Sequence, residues 1–254
     1  MVPLHFGSSE RPLFGIYHPP AGTPRRGGVV ICPSLPQEAM RTAWTLRRLA
    51  TALAERGLHV LRFDWSGTGD SSGALVDVDL STWRHDLRAA VSELRDLSGC
   101  GTISAAGIGL GGALALSTPE LALRAVALWD PVVSGAAHLE QLFSLHASVC
   151  GRAKHGNRGV VDLLGFAMSP ALIADLGALD VLQAKQRRTH FNHVAVLDSE
   201  WSSGTRSLCE QLRAKVDPPL PERSRARVAD ELLISFLAPE SVKRVATWLA
   251  KEAA

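Results

Sequence analysis

The run Thr102-Ile-Ser-Ala-Ala-Gly-Ile-Gly-Leu-Gly-Gly-Ala-Leu-Ala-Leu-Ser117 decides how the rest of the chain is read. Thr102 to Ala106 has the composition of a buried strand, and Gly107-Ile-Gly-Leu-Gly-Gly112 turns it sharply into a short helix that Thr118-Pro119 interrupts. Glycine relieves backbone strain at such a turn, so the spacing of Gly107, Gly109 and Gly111 predicts a tight strand-to-helix junction. Gly109 stands at its apex and contributes no side chain.

The same alternation extends outward. Upstream, Leu13 to Tyr17 reads as a short strand and Pro19 to Gly28 as a turn. Gly28-Val-Val-Ile-Cys32 is a continuous apolar run ended by Pro33, the pattern of a strand buried on both faces. A helix is predicted over Met40 to Arg56, with Trp44, Leu46, Leu49 and Leu53 on its apolar side and Gly57 as its stop. Leu58 to Asp64 is the next strand, followed by the turn Ser66-Gly-Thr-Gly-Asp-Ser-Ser-Gly73 and a helix over Asp79 to Leu97. Downstream, Arg124 to Trp129 and Asn192 to Asp198 read as strands, and Pro239 to Ala254 as an amphipathic helix. This cadence predicts an α/β fold, a mostly parallel central sheet with helices on both faces. Ser134 to Lys185 breaks it. That segment is helix-rich, with Leu139, Leu142, Leu145 and Val149 on one stripe and no strand expected. It is read as a helical lid, 134–185, inserted into a core of 1–133 and 186–254 and lying over the C-terminal edge of the sheet. Val216 to Phe236 begins as a Pro-rich loop, and Glu231 to Phe236 is a candidate last strand.

Composition narrows the classes. Among 254 residues, 27 Lys and Arg balance 25 Asp and Glu, a formal charge of +2 that gives no electrostatic footprint for nucleic acid. The N-terminus lacks a basic start with a long apolar run, and no stretch approaches the ~20 apolar residues of a membrane span. A cytoplasmic location and no membrane association are expected. Cys32, Cys100, Cys150 and Cys209 are scattered without paired spacing, and His138, His155, His190 and His193 have no ligand-like arrangement, so no metal is expected. No cofactor is expected either.

Three stretches resemble the α/β-hydrolase superfamily, in particular serine-aminopeptidase-like hydrolases, including those associated with exosortase systems and natural-product gene clusters. They are Ile31-Cys-Pro-Ser-Leu-Pro-Gln-Glu-Ala-Met-Arg41, Phe63-Asp-Trp-Ser-Gly-Thr-Gly-Asp-Ser71 and Leu128-Trp-Asp-Pro-Val132. The first is similar to an oxyanion loop and the second to that family's glycine-rich turn. The resemblance implies a nucleophile elbow, G-x-S-x-G, at Gly107 to Gly111, followed along the chain by an acid and then a histidine. Asp198 ends a strand where the family's acid commonly lies. The nucleophile position is Gly109, however, and the last histidine is His193, before the loop that should carry the base. Removing either group costs several orders of magnitude in rate. Ordinary serine hydrolysis is therefore not expected, and the elbow and triad read as degenerate.

The resemblance then implies a pseudoenzyme, a non-hydrolytic enzyme, or a binding or accessory subunit. Its partner would be an acyl or other hydrophobic small molecule, with a partner protein as a further candidate, in a biosynthetic setting. An ester or thioester hydrolase with a displaced nucleophile such as Ser34 is an alternative. A second is an NAD(P)-binding oxidoreductase using Gly107-x-Gly109-x-x-Gly112, although that motif lies mid-chain rather than opening a domain. Backbone N–H groups of Ser34, Leu35 and Leu110, around Gly109, are candidate ligand contacts. Asp130 at a strand end and His146 on the inserted segment are a candidate acid/base pair, with His146 equally readable as a partly exposed helix residue. Asp70-Ser71-Ser72 reads as turn capping. Arg187, Arg188, Arg223, Arg225 and Arg227 read as solvated charge or the rim of a site for an acidic partner.

Overall fold

A computed structural model describes residues 1–24, 27–118, 121–151, 159–183, 190–198, 202–212, 215–216 and 238–253. Glu231 to Phe236 and the arginines at 187, 188, 223, 225 and 227 lie outside these residues, as do His155 and Lys185.

Among the described residues eight strands form one sheet. They are β1 (Val2–Gly7), β2 (Pro12–His18), β3 (Gly27–Cys32), β4 (His59–Phe63), β5 (Thr102–Ile108), β6 (Ala122–Trp129), β9 (His190–Leu197) and β10 (Lys215–Val216), in the order β1-β2-β4-β3-β5-β6-β9-β10. β1 and β2 run antiparallel, and from β4 to β10 all neighbours are parallel. β1 is not among the strands expected from the sequence, although Val2, Leu4 and Phe6 alternate; it is an edge strand whose residues are mostly exposed, and of these three only Phe6 is buried.

Two cores cover the sheet. On one face, α1 (Pro36–Glu55) and α7 (Pro239–Glu252) pack over Val29, Ile31, Val60, Ala127 and Trp129. On the other, α2 (Leu80–Ser98), α3 (Leu110–Ser117) and α6 (Ser203–Leu212) pack over Val30, Leu61, Ala105, Val126 and Val196. β3 is buried at all six positions, as its unbroken apolar run requires. α1 begins four residues before the predicted start. Pro36 takes the first helical position, where its missing N–H is no loss. Asp79 caps α2 by accepting from the Thr82 N–H at 2.7 Å, and Gly99 ends it in the left-handed conformation.

The inserted segment is not wholly helical. α4 (Gly135–Cys150) and α5 (Pro170–Ala178) flank an antiparallel hairpin of β7 (Val161–Leu163) and β8 (Phe166–Met168). Leu164 and Gly165 both have positive φ at its turn, a geometry the pair Leu-Gly signals less clearly than Asn-Gly. The stripe on α4 is also rotated from the one expected. Leu139, Leu142 and His146 are buried, but Val149 is 53% exposed. Two hydrogen bonds fix this segment to the core. Ser169 Oγ donates to the Val78 carbonyl at 2.6 Å while accepting from Leu172 N–H at 2.9 Å, and Asp175 accepts from the Leu80 N–H at 3.2 Å.

Strand register sets where the site falls. Cys32 pairs with Gly107, Ile108 with Trp129, and Trp129 with Leu197. The loops after β3, β5, β6 and β9 therefore emerge side by side. The chain leaves β3 toward β4 and returns to β5 on the opposite side, so a crevice opens between Pro33 and Gly109 at the switch point.

Candidate functional site

Gly109 sits between β5 and α3 with φ 58° and ψ −123°, a backbone conformation L side chains rarely adopt. Its N–H donates to the Trp129 carbonyl at 2.9 Å, and its carbonyl accepts from Val132 N–H at 3.2 Å and Ala113 N–H at 3.3 Å. The turn is thus pinned to the loop after β6. Packing explains the neighbouring glycines. A Cβ at Gly107 would collide with the Gly112 backbone, and one at Gly111 with the carbonyls of Cys32 and Pro33. The sequence resemblance to a dinucleotide fingerprint is accounted for by these close approaches.

The space beside Gly109 is occupied. A Cβ built there would lie 2.5 Å from Ser34 Oγ and 3.0 Å from Glu38 Oε2. Ser34 Oγ donates a short hydrogen bond to that same Glu38 Oε2. The other carboxylate oxygen, Oε1, is 3.6 Å from His138 Nε2. Ser34 precedes α1, Glu38 lies in the first turn of α1, and His138 lies in the first turns of α4, so the cluster joins the loop after β3 to the inserted segment. Ser34 is 1% exposed, His138 4% and Glu38 13%. The carboxylate rests at the positive ends of two helices, α1 and α3, whose first-turn N–H groups lack intrahelical partners. With the Ser34 hydroxyl it borders the space that a side chain at Gly109 would take. Leu35 and Leu110, the other expected ligand contacts, are buried on either side of this cluster.

Ser34 opens onto a cavity of about 640 Å³, within the range of small-molecule sites. Pro33, Met40, Trp65, Leu75 and Phe166 make its wall largely apolar, and the hairpin tip of the inserted segment closes one side. Trp65 fixes the loop by donating its indole N–H to the Pro33 carbonyl at 2.9 Å, and it stacks on Trp83 at 5.7 Å. The glycine-rich turn is held from within. Ser71 Oγ donates to the Asp64 carbonyl and accepts from Phe14 N–H, while Asp86 accepts from both the N–H and hydroxyl of Ser66. Burial pushes the Asp86 carboxyl up from its ordinary range.

The remaining expected residues divide. Asp130 is buried after β6 with φ 43°, its N–H donating to the Leu197 carbonyl at 2.7 Å. Asp198 is buried at the end of β9, near enough to raise the pKa of the Cys209 thiol together with burial, which is the larger cause. His146 is committed elsewhere: its Nδ1 accepts from the Leu164 N–H at 2.8 Å and so holds the hairpin turn rather than an acid/base partner. The histidine that reaches the cluster is His138, which its sequence spacing had set aside. Two signals point to the cluster. Ser34 and Glu38 stand four apart at a helix start, and His138 is the first histidine after the strand ending at Trp129. Among the described residues no group of three His, Cys, Asp or Glu could hold a metal ion, and all four cysteines are free. No helix of the described residues is long and apolar enough to cross a membrane.

A model of the alpha/beta hydrolase family matches residues 25–251. No curated protein matches. Solved structures align over nearly their whole length. Est1E from Butyrivibrio proteoclasticus with bound ferulic acid is 15% identical, with 98% of each chain covered and a TM-score of 0.65. Proline iminopeptidase from Mycobacterium smegmatis is 15% identical, with 99% of each covered and a TM-score of 0.64. The bottromycin epimerase BotH in complex with bottromycin A2 is 18% identical, covering 98% of this chain and all of its own, with a TM-score of 0.60. At such identities these likenesses establish the fold.

Proposed function

Because the chain belongs to the alpha/beta hydrolase family, we propose that it is a cytoplasmic member that has exchanged the elbow nucleophile for a carboxylate. In this reading it acts non-hydrolytically on an acyl-bearing hydrophobic small molecule of natural-product biosynthesis. One observation carries the reading: the place of a nucleophile's side chain at Gly109 is taken by the Ser34 hydroxyl and the Glu38 carboxylate. The elbow serine and the histidine that should follow Asp198 are both missing from the sequence. What remains suits proton transfer beside a carbonyl. The carbonyl oxygen faces the N–H groups of Leu110 and Leu35. Glu38 takes the α-proton, the C–H electron pair moves into an enolate whose oxygen those N–H groups stabilise, and a proton returns to the same carbon. No bond to water forms. Ser34 orients the carboxylate, and His138 supplies a second proton carrier at its far oxygen. The neighbour named an epimerase performs, by its name, a reaction of this non-hydrolytic kind.

The test uses butyryl-N-acetylcysteamine thioester in D2O, followed by mass spectrometry, beside a fluorophosphonate probe. Deuterium enters the α-position, the E38Q variant loses this exchange, and the probe leaves the protein unlabelled. The short Ser34–Glu38 contact also favours a second reading, an ester or thioester hydrolase with Ser34 as displaced nucleophile and Glu38 as its base. Fluorophosphonate labelling of Ser34 with no α-exchange would replace the first reading by the second.

A further inference from the structure

The cavity beside Ser34 has a charge character of its own. Among the described residues that line it, Asp64 is the one ionisable side chain, and no lysine, arginine or histidine contributes. Glu38 adds a second carboxylate behind Ser34. The rest of the wall is proline, alanine, glycine, methionine, tryptophan, leucine, valine and phenylalanine, apart from Ser34 and Thr68. An acid-bearing ligand would meet like charge with no cationic side chain in the wall.

Asp64 is poorly satisfied. Its Oδ2 accepts one hydrogen bond, from the Asp70 N–H at 3.2 Å, and among the described residues no cationic group lies within 4 Å of it. Arg62, two residues earlier, directs its Nε to His18 Nε2 at 3.2 Å and favours the Asp64 carboxylate only through its field, without a hydrogen bond. A carboxylate offers about four acceptor sites, so Asp64 keeps most of them for a ligand. Gly69 is required where the turn wraps it, since a Cβ there would collide with Oδ2 and Cγ of the carboxylate. The side chain is thereby held in place at the edge of an apolar hollow. Partial burial raises its pKa, and the Asp70 charge adds to this while the Asp70 N–H and Arg62 oppose it.

We propose that this cavity selects ligands that pair an apolar body with an ammonium group, seated on Asp64, and rejects free carboxylates. The inference rests on the reading that the cavity beside Ser34 receives the substrate, and it names that substrate's class: an amine-bearing acyl compound, such as an aminoacyl or peptidyl derivative. A charge-assisted hydrogen bond from ammonium to a partly desolvated carboxylate is worth about tenfold or more in affinity.

Calorimetric titration with hexylamine, hexanol, hexanoate and N-hexylacetamide separates charge from apolar burial. Hexylamine binds about tenfold more tightly than hexanol, N-hexylacetamide falls to the hexanol level, and hexanoate binds weakest. In Asp64→Asn, which retains an acceptor for the Asp70 N–H, hexylamine loses its advantage. The acetamide comparison uses the unaltered protein and stands even if that variant fails to fold. Hexanoate equal to hexylamine, an amine preference that persists in Asp64→Asn, or no binding by any of the four would overturn the proposal. Binding requires no chemistry, so an amine preference without α-exchange removes only the proton-transfer reading. Exchange without the preference removes only this inference.

Discussion

Placing a side chain at Gly109 tests the site from its most constrained point. Gly109→Ala introduces two separate penalties. An L residue at φ 58°, ψ −123° stores ~1–3 kcal/mol of backbone strain. Its Cβ, 2.5 Å from Ser34 Oγ, must also displace that hydroxyl or the Glu38 carboxylate, an overpacking cost of ~1–3 kcal/mol. The sum is about 2–6 kcal/mol. At ~2–4 °C per kcal/mol for a domain of this size, melting falls by about 4–24 °C. A double-mutant cycle with Ser34→Ala divides the terms. Without Oγ, the nearest Ser34 atom is Cβ at an ordinary 3.6 Å, so Gly109→Ala should then show the backbone term with only the milder contact to Glu38 Oε2 at 3.0 Å added. Urea denaturation of the four proteins should give a coupling of ~1–3 kcal/mol. Equal losses in both backgrounds would refute the steric argument, and an unchanged melting temperature for Gly109→Ala would refute the strain argument as well.

Gly109→Ser alone creates no esterase, because the new hydroxyl would face a carboxylate and no histidine follows Asp198; robust turnover of p-nitrophenyl acetate would contradict this. Ser169→Ala removes both the α5 cap and the bond to Val78 and should lower stability by ~1–2 kcal/mol in urea titration, with a negligible change counting against the fastening. His18 is held neutral, its pKa lowered to about 4, chiefly by burial and then by Arg62. The unfolded chain then binds a proton that the folded protein refuses between about pH 6.5 and 4, so this group destabilises the fold as pH falls through that window. Asp64 and Asp86, with raised pKa values, act in the opposite direction. Melting curves of His18→Gln should therefore show a shallower loss across that window than the unaltered protein, and parallel curves would remove His18 from the acid response.

The sheet was legible because β3, β5 and β6 are buried on both faces, and continuous apolar runs between glycines and prolines have few other interpretations. β1 was not, although Val2, Leu4 and Phe6 alternate, because three apolar positions beside Pro3 are a short signal and only Phe6 is buried. The hairpin of the inserted segment escaped for a related reason: three-residue strands are shorter than any periodicity, and Leu164-Gly165 is a weak turn signal. Gly109 and Ser34 could be read from one motif each. Glu38 and His138 could not, because their meeting depends on how α4 folds back across the sheet's edge, a contact between residues one hundred apart. The sequence favoured His146 over His138 by position alone, and a single hydrogen bond to Leu164 decides the matter.

The fastening of the inserted segment has a kinetic consequence. Asp175 supplies an acceptor to the first N–H of α2, and Ser169 supplies a donor beside it. Swinging this segment outward would uncap a helix that belongs to the core, so opening and global unfolding share part of one free-energy scale. Met40, which lines the cavity and is 68% exposed, then offers an approach that leaves this segment in place. Residence time would follow side-chain rotation at that doorway rather than movement of a roof. A stabilised variant of the core would release its ligand no more slowly than the parent.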